Sequence, residues 1–448
     1  MRRATLLFTA LFIPAAAAAA EKPNIVYILM DDAGYGDLSC YGQKRFQTPN
    51  MDRLAAEGMK FTNHYSGSTV CAPTRCCLMM GVHTGHAFIR GNREVQPEGQ
   101  WPIPSEAVTI PRLLKQAGYT TGMFGKWGLG PPASHADPMR HFDRFYGYNC
   151  QRKAHTYYPQ YLWDNDRKQQ LDGKTYSQDL IAARALDFIR ANKRKPFFCY
   201  LSITVPHAAM HVPEESAAPF RQKFPQFENK IGKYSGPPVK NPIAAFAGMM
   251  TRLDGQIGQL LDLLDELGID EKTLVMITSD NGPHLEGGHD PRFFNSNGPL
   301  RGFKRDLYEG GIRVPLLARW PGKIKPGTES HLVSAHWDML PTFCELAAAA
   351  APQHLDGISS VPTLTGNPGQ QRQHPYLYWE YSGRTAARAG NWKAVSRLAK
   401  GNSQPPLELF DLSNDIGETK NVAADRPDVV ARLRSILQTA RTDPQPSS

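Results

Sequence analysis

Four stretches constrain the fold most: "NIVYILMDD" (24–32), "TTGMFG" (120–125), "PFFCYLSIT" (196–204) and "TLVMITSDNG" (273–282). Each is an unbroken apolar run rather than an alternating one, the mark of a strand buried on both faces in a parallel sheet. Helical patterns are interspersed with them: "NMDRLAAEG" (50–58), "TIPRLLKQAG" (109–118), "SQDLIAARALDFIRAN" (177–192) and "LDGQIGQLLDLLDELG" (253–268). In the last, Ile257, Leu260, Leu261, Leu264 and Leu267 share one face, and Gly268 ends the helix. This alternation predicts a doubly wound α/β domain, in which ligands bind beyond the carboxyl ends of the strands. Two of the runs end there in oxygen donors, Asp31–Asp32 and Asp280–Asn281.

A chain of 448 residues has room for a large domain with an appendage. After residue 345 the texture changes. "AAAAAPQHLDGISSVPTLTGNPGQQRQHP" reads as a linker, followed by short strands "YLYWEY", "NWKAV" and "LELFDL" and a helix "DVVARLRSILQTA". The expected organisation is a main domain over 21–345 and a small C-terminal α+β unit over 346–448, ending in a disordered "DPQPSS". Residues 1–20 read as a signal peptide: Arg2 and Arg3, the apolar "ATLLFTALFI", and small residues up to Ala20. That apolar stretch is too short to span a bilayer, and no later one is long enough, so the expectation is an exported protein, periplasmic or secreted. The net charge of +9 suits an anionic substrate, but no basic run interleaved with aromatics points to nucleic acid.

Two acids at one strand end and an acid–amide pair at another are hard donors that suit Ca²⁺ or Mg²⁺ rather than zinc. Seven cysteines leave an odd thiol in an exported chain, and none shows the paired C-x-x-C spacing of a zinc site. Three of them crowd into "STVCAPTRCCLMMG" (68–81): Cys71, Cys76 and Cys77. Such a cluster is compatible with a nucleophile or simply with a buried helix.

"CAPTR", Cys71 to Arg75, with Gly81 ten residues after the cysteine, resembles the C-x-P-x-R signature of the sulfatases, within the alkaline phosphatase superfamily. The family's other landmarks follow in order: "NIVYILMDDAGYGDLSCYG", "TPNMDRLAAEG", "GKWGLG", "VPH", "SDNG", "LRGFKRDLYEGGIRVP" and "ELFDLSNDIGET". The resemblance is to formylglycine-dependent, arylsulfatase-like type I sulfatases, and it implies a large mixed sheet flanked by helices. It further implies that Cys71 is oxidised to formylglycine by a formylglycine-generating or anaerobic sulfatase-maturating enzyme before folding. Asp31, Asp32, Asp280 and Asn281, with residue 71, would hold Ca²⁺ (or Mg²⁺). Arg75 would orient the nucleophile, Lys126 and Lys304 would clamp the sulfate, and His207 would protonate the leaving alcohol. The implied reaction releases inorganic sulfate from a sulfated carbohydrate or aryl sulfate through a gem-diol and a covalent sulfo-enzyme.

The residue types suit that chemistry. A divalent ion and two lysines stabilise charge spread over sulfuryl oxygens. If residue 71 opens a helix, its N-terminal N–H groups favour an anion, and Arg75 lies on the same helical face. Cys76 and Cys77 then fall one turn on, as helix core with no catalytic role.

One landmark departs from the pattern. Most sulfatases read G-K-W-H-L-G, and Gly128 stands where that histidine contacts formylglycine. His155 of "QRKAHTYYPQYLW" is a candidate replacement. Arg90 of "GVHTGHAFIRGN", His155, His211 and His284 are candidate substrate contacts, and His83, His86, Asn92, Tyr157, Tyr158 and Trp163 add planar groups suited to carbohydrate. The alternatives are a phosphate or phosphonate monoester hydrolase of the same superfamily, or a carbohydrate-binding relative without turnover. A single metal cluster favours sulfate over the first, and only Gly128 supports the second.

Overall fold

A ten-stranded mixed sheet forms the spine of the computed structural model, which describes residues 22–399 and 404–442. The signal-peptide segment and the "DPQPSS" tail lie outside the described residues. In chain order the strands are β1 (Asn24–Asp31), β2 (Met59–Phe61), β3 (Thr120–Lys126), β4 (Arg144–Tyr148), β5 (Tyr161–Asp164), β6 (Arg167–Gln170), β7 (Phe197–Pro206), β8 (Thr273–Ser279), β9 (Leu316–Arg319) and β10 (Thr328–Ser330). Their spatial order is β10-β2-β9-β8-β1-β7-β3-β4-β5-β6. The central five, β8-β1-β7-β3-β4, pair in parallel, and they contain all four unbroken apolar runs. Antiparallel pairings of β8 with β9 and of β4 with β5 extend the sheet to its edges.

Strand β1 shows why the runs had to be continuous. Ile25, Tyr27 and Leu29 enter one apolar layer; Val26, Ile28 and Met30 enter the other. Burying both faces leaves no polar position between the strand's two ends. The first layer includes α1 (Cys71–Met80), α2 (Ile110–Gln116) and the helix Met339–Leu346; the second includes Ser177–Asn192 and the long helix Pro242–Glu266. That long helix begins eleven residues before the predicted "LDGQIGQLLDLLDELG" pattern. Its first turns, "PIAAFAGMM", are buried on every side and so show no amphipathic period.

The C-terminal unit is a four-stranded antiparallel sheet, Leu377–Tyr381, Arg384–Ala389, Trp392–Arg397 and Leu407–Asp411, covered by the helix Pro427–Thr439. Three of its strands and its helix match the sequence reading. The strand "RTAARA" does not, because alanines and arginines carry little β signal on their own.

Candidate active site

Four adjacent parallel strands deliver the site at their carboxyl ends. β1 brings Asp31 and then Asp32, β8 runs into Asp280 and Asn281, β3 ends at Lys126, and His207 follows directly on β7. All five of the carboxylate, amide and lysine positions are fully buried, and His207 is 1% exposed. Asp32 takes a left-handed conformation (φ 71°), and its N–H donates to Asp280 Oδ1 at 3.1 Å. This turns its carboxylate into the pocket shared by both strand ends.

Cys71 is the first residue of α1, after an extended Val70. Nine of the helix's ten residues are buried, including Arg75, and Cys76 and Cys77 pack in the apolar layer as expected. The Ala72 N–H donates to Asn92 Oδ1 at 3.0 Å, an end group that the short helix otherwise lacks. Cys71 Sγ lies 3.6 Å from Asp31 Oδ1. Arg75 donates to Asp280 Oδ2 (3.0 Å), to the Lys126 carbonyl (3.0 Å) and to Ser202 Oγ, so it ties three strands together from below the pocket. Lys126 Nζ donates to Asp31 Oδ2 at 2.5 Å, and Lys304 Nζ to Asp32 Oδ2 at 2.7 Å.

Three carboxylates therefore face three cations, and the environment splits their proton affinities. Burial pushes Asp280 up to about 7, reinforced by its neighbours Asp31 and Asp32. Burial would raise Asp31 too, but Lys126, His207, Arg75 and Lys304 outweigh it and hold its carboxyl well below the usual range. Burial and then Asp31 lift the Cys71 thiol to about 12. Asn281 has a decided orientation: its Nδ2 donates to Asp32 Oδ1 (2.7 Å) and to the Gly282 carbonyl (2.9 Å). Its Oδ1 is buried without any hydrogen-bond partner. An orphaned oxygen among carboxylates fits a hard divalent cation, because an all-oxygen donor set is what such an ion requires.

His207 donates its Nδ1–H to the Ala208 carbonyl, which leaves Nε2 facing the pocket, 3.4 Å from Asp32 Oδ2. Tyr157, its hydroxyl bonded to the His207 carbonyl at 2.7 Å, supports that turn rather than a ligand. His155 lies flat against His207, rings 4.0 Å apart at 7°, with Nε2 buried and unpartnered. It is thus brought into the site. Gly128 has a counterpart that the sequence did not suggest: a Cβ at that position would stand 2.8 Å from Gln151 Cγ and Nε2. The buried Gln151 fills the space that a side chain at 128 would need, and its Nε2 has no partner. Gln151 and His155 are four residues apart on one turn of chain, the helical segment Gln151–Ala154 and its cap.

Other predicted contacts sit differently. Arg90 is committed to Glu380 (3.3 Å) and to the carbonyls of Gly85 (2.8 Å), Ala87 (3.0 Å) and Thr442, so its guanidinium braces the C-terminal unit rather than reaching for substrate. His284 packs behind His207, accepting from the Glu286 N–H and donating to the Pro206 carbonyl, each at 3.1 Å. Both its nitrogens are spent on the backbone, which leaves a supporting ring rather than a substrate contact. His211 bonds the Pro237 carbonyl at 2.8 Å beside the outer loop. His83 and His86 stack at 4.4 Å beside Asp356.

Comparison with known proteins bears on this pocket. Residues 23–349 match the sulfatase family model, and residues 302–443 match the model for the C-terminal region of N-sulphoglucosamine sulphohydrolase. The chain is 33% identical to human arylsulfatase A over 95% of its own length and 89% of that protein. It is 34% identical to N-acetylgalactosamine-6-sulfatase of Canis lupus familiaris, covering 85% of this chain and 72% of that one. Among solved structures, Ps i-CgsB in complex with k-i-k-neocarrahexaose superposes with a TM-score of 0.79 at 29% identity, covering 95% of this chain and 94% of the other.

Proposed function

The chain belongs to the sulfatase family, and from that premise we propose that it releases inorganic sulfate from a sulfated carbohydrate, with residue 71 as formylglycine. One observation carries the reading. Cys71 sits at a helix N-terminus against Asp31, with Lys126, Lys304 and Arg75 around it and the oxygen donors that would hold a divalent ion beside it. A buried, protonated thiol is a poor nucleophile at neutral pH, while the helix N-terminus and the three cations around it suit an anion. Oxidised to the aldehyde and hydrated, the same position supplies a hydroxyl nucleophile.

Asp31, Asp32, Asp280 and Asn281 are the residues that would hold Ca²⁺ or Mg²⁺, which supplies Lewis-acid stabilisation of charge on sulfuryl oxygens. The three carboxylates and three cations balance, so a divalent ion adds the positive charge that an entering sulfate ester offsets. Lys126 and Lys304 donate to the sulfate oxygens. Arg75 fixes the strand ends and the carboxylates. His207, its Nδ1–H tied to Ala208, turns Nε2 to the leaving alcohol, where it would take up a proton from solvent and pass it to that oxygen. Gln151 stands where the usual histidine of "GKWHLG" is missing and His155 stands beside His207, and both bind substrate oxygens.

Cys71 is 2% exposed in the folded chain, which supports oxidation by a maturation enzyme before folding. The segment over 1–20 supports export, to the periplasm or beyond. No helix among the described residues is long and apolar enough to cross a membrane. Carbohydrate is favoured over aryl sulfate by relatives named for N-acetylgalactosamine sulfate and by the likeness to a structure holding a neocarrahexaose.

The test is mass spectrometry of the peptide containing residue 71, purified from a host with a maturation enzyme, paired with sulfate release from sulfated glycans. An aldehyde with sulfate release upholds the reading. A persistent thiol in a competent host removes its nucleophile, and phosphonate cleavage without sulfate release transfers the site to the alternative chemistry.

A further inference from the structure

Four large apolar side chains are exposed among the described residues: Val108, Ile231, Tyr234 and Leu285. The last three lie on two segments that touch. Gly232 approaches the Gly287 carbonyl so closely that a Cβ there would stand 2.0 Å from it, and a Cβ at Gly287 would lie 3.7 Å from that of Tyr234. The patch is continuous with the catalytic pocket. Tyr234 stands edge-on to His207 (5.5 Å, 70°) and to His155 (5.4 Å, 65°), and Leu285 follows His284. Ser235 Oγ donates to the His155 carbonyl and fixes this loop to the pocket wall.

Beside the apolar patch is an under-used acceptor. Glu286 Oε1 accepts from Arg305, while Oε2 is buried without a hydrogen-bond donor. His284 Nδ1 is 3.4 Å from Oε2, but that nitrogen accepts from the Glu286 N–H and has no proton to give. Burial would raise the carboxyl, but Lys304 and Arg305 hold it below its ordinary range, so it is an acceptor at neutral pH.

An aromatic face next to a carboxylate acceptor matches a pyranose, which has a C–H face and a rim of hydroxyls. We infer that Tyr234, Leu285 and Glu286 form the leaving-group subsite. There the C–H face of a pyranose lies on Tyr234, and one of its hydroxyls donates to Glu286 Oε2. The inference rests on the sulfatase reading of the pocket. It also limits the substrate, since a second sulfate at that hydroxyl would face the carboxylate, like charge against like.

Steady-state kinetics of the matured enzyme test it, on a panel of monosulfated monosaccharides and on 4-nitrophenyl sulfate. Tyr234→Ala should raise KM for the best sugar substrate roughly tenfold with kcat within a factor of about two, as for a lost stacking contact, and Tyr234→Phe should behave like the wild type. Glu286→Gln should lower kcat/KM for the sugar about tenfold, the scale of a hydrogen bond to a charged group, and lower it clearly less for 4-nitrophenyl sulfate, which has no hydroxyl. Unchanged KM in Tyr234→Ala, or equal losses on both substrates in Glu286→Gln, overturns the subsite while the sulfatase reading stands. Turnover of neither substrate class by the matured wild type overturns the sulfatase reading, and the subsite falls with it.

Discussion

The catalytic pocket and the joint between the main sheet and the C-terminal unit bury much the same set of charges. At the joint, Lys393 from the strand Trp392–Arg397 sits fully buried between Glu309 and Glu418, 2.9 Å from each. Arg313 bonds Glu309 at 3.2 Å, Tyr65 donates to Glu309 at 2.6 Å, and the Glu309 N–H donates to Glu418 at 2.7 Å. Lys393 Nζ, Glu309 Oε1 and Glu418 Oε1 make no well-aligned hydrogen bond, but they pair with one another as ions across the joint. The pocket has three carboxylates and three cations, and it leaves Asn281 Oδ1, His155 Nε2 and Gln151 Nε2, none of them in an ion pair, without hydrogen-bond partners. The difference is in what is left unsatisfied, not in how much charge is buried. A cluster that closes on itself acts as a clasp, whereas one with spare donors and acceptors is built for something from outside.

That contrast breaks most decisively at Cys71. Cys71→Ala removes the proposed nucleophile and leaves the surrounding charged side chains untouched, so sulfate release should drop to the buffer background. The melting temperature should stay within about 2 °C of the unmodified wild type, because a buried small side chain loses little volume. Residual turnover above background would mean that residue 71 is not the reacting group. Lys393→Met tests the other cluster and should do the reverse. Removing the one lysine between two buried carboxylates should destabilise folding by about 3–5 kcal/mol, read by denaturant unfolding, with KM of the folded fraction unchanged. A pocket-like outcome there, with lost activity and intact stability, would erase the distinction between the clusters.

Metal addition sharpens the comparison at a smaller scale. With Ca²⁺ at about 100 times its Kd the wild type should gain roughly 2.7 kcal/mol of stability, and Asp280→Asn most of that less. Lys393→Met should keep the full metal response on its lower baseline. A metal response abolished by Lys393→Met would show that the two clusters are not independent.

Much of this was legible in the sequence, and for a physical reason. Strands buried on both faces must be continuously apolar, so β1, β3, β7 and β8 announced themselves, and the acids at their ends lay at the ligand edge of any such sheet. Cys71, Arg75, Lys126, His207 and Lys304 carried the marks of a known family. The landmarks "LYEGGIRVP" and "DIGET" were legible only as landmarks. That one supplies Glu309 and the other Glu418 to a single lysine follows from the pairing of the C-terminal strands, and no local pattern encodes such pairing. Tyr234, Glu286 and Gln151 were hidden differently. Each lies in a loop or a single turn, and its importance comes from what surrounds it in space. Arg90 misled because a basic residue near a signature helix serves equally well as a brace.

The smallest effect expected is on pH, and its sign follows from the clasp. Burial, offset only in part by Lys393 and reinforced by Glu309, pushes Glu418 up to about 7. Burial also acts on Glu309, but Lys393 and Arg313 outweigh it and bring Glu309 down to about 2. A carboxyl raised in the folded state gives stability that is present below its unfolded pKa and is lost as pH rises through the folded value; a depressed one loses its contribution as pH falls. The clasp should therefore be strongest near pH 4.5, weakening through neutrality because of Glu418 and towards pH 2 because of Glu309. Glu418→Gln isolates the neutral limb. Asp280 and Asp37, both raised to about 7 by burial, bend the stability of wild type and variant alike and cancel in the difference. The stability of the wild type relative to Glu418→Gln should then fall by about 1–2 kcal/mol between pH 5 and pH 8, a few degrees in melting temperature at most, with no matching change below pH 4. A difference that is flat across this range would mean that Glu418 is already ionised at pH 5. The clasp would then hold two full negative charges against Lys393 throughout, and its self-balance would depend on Arg313 and Arg388 rather than on a shared proton.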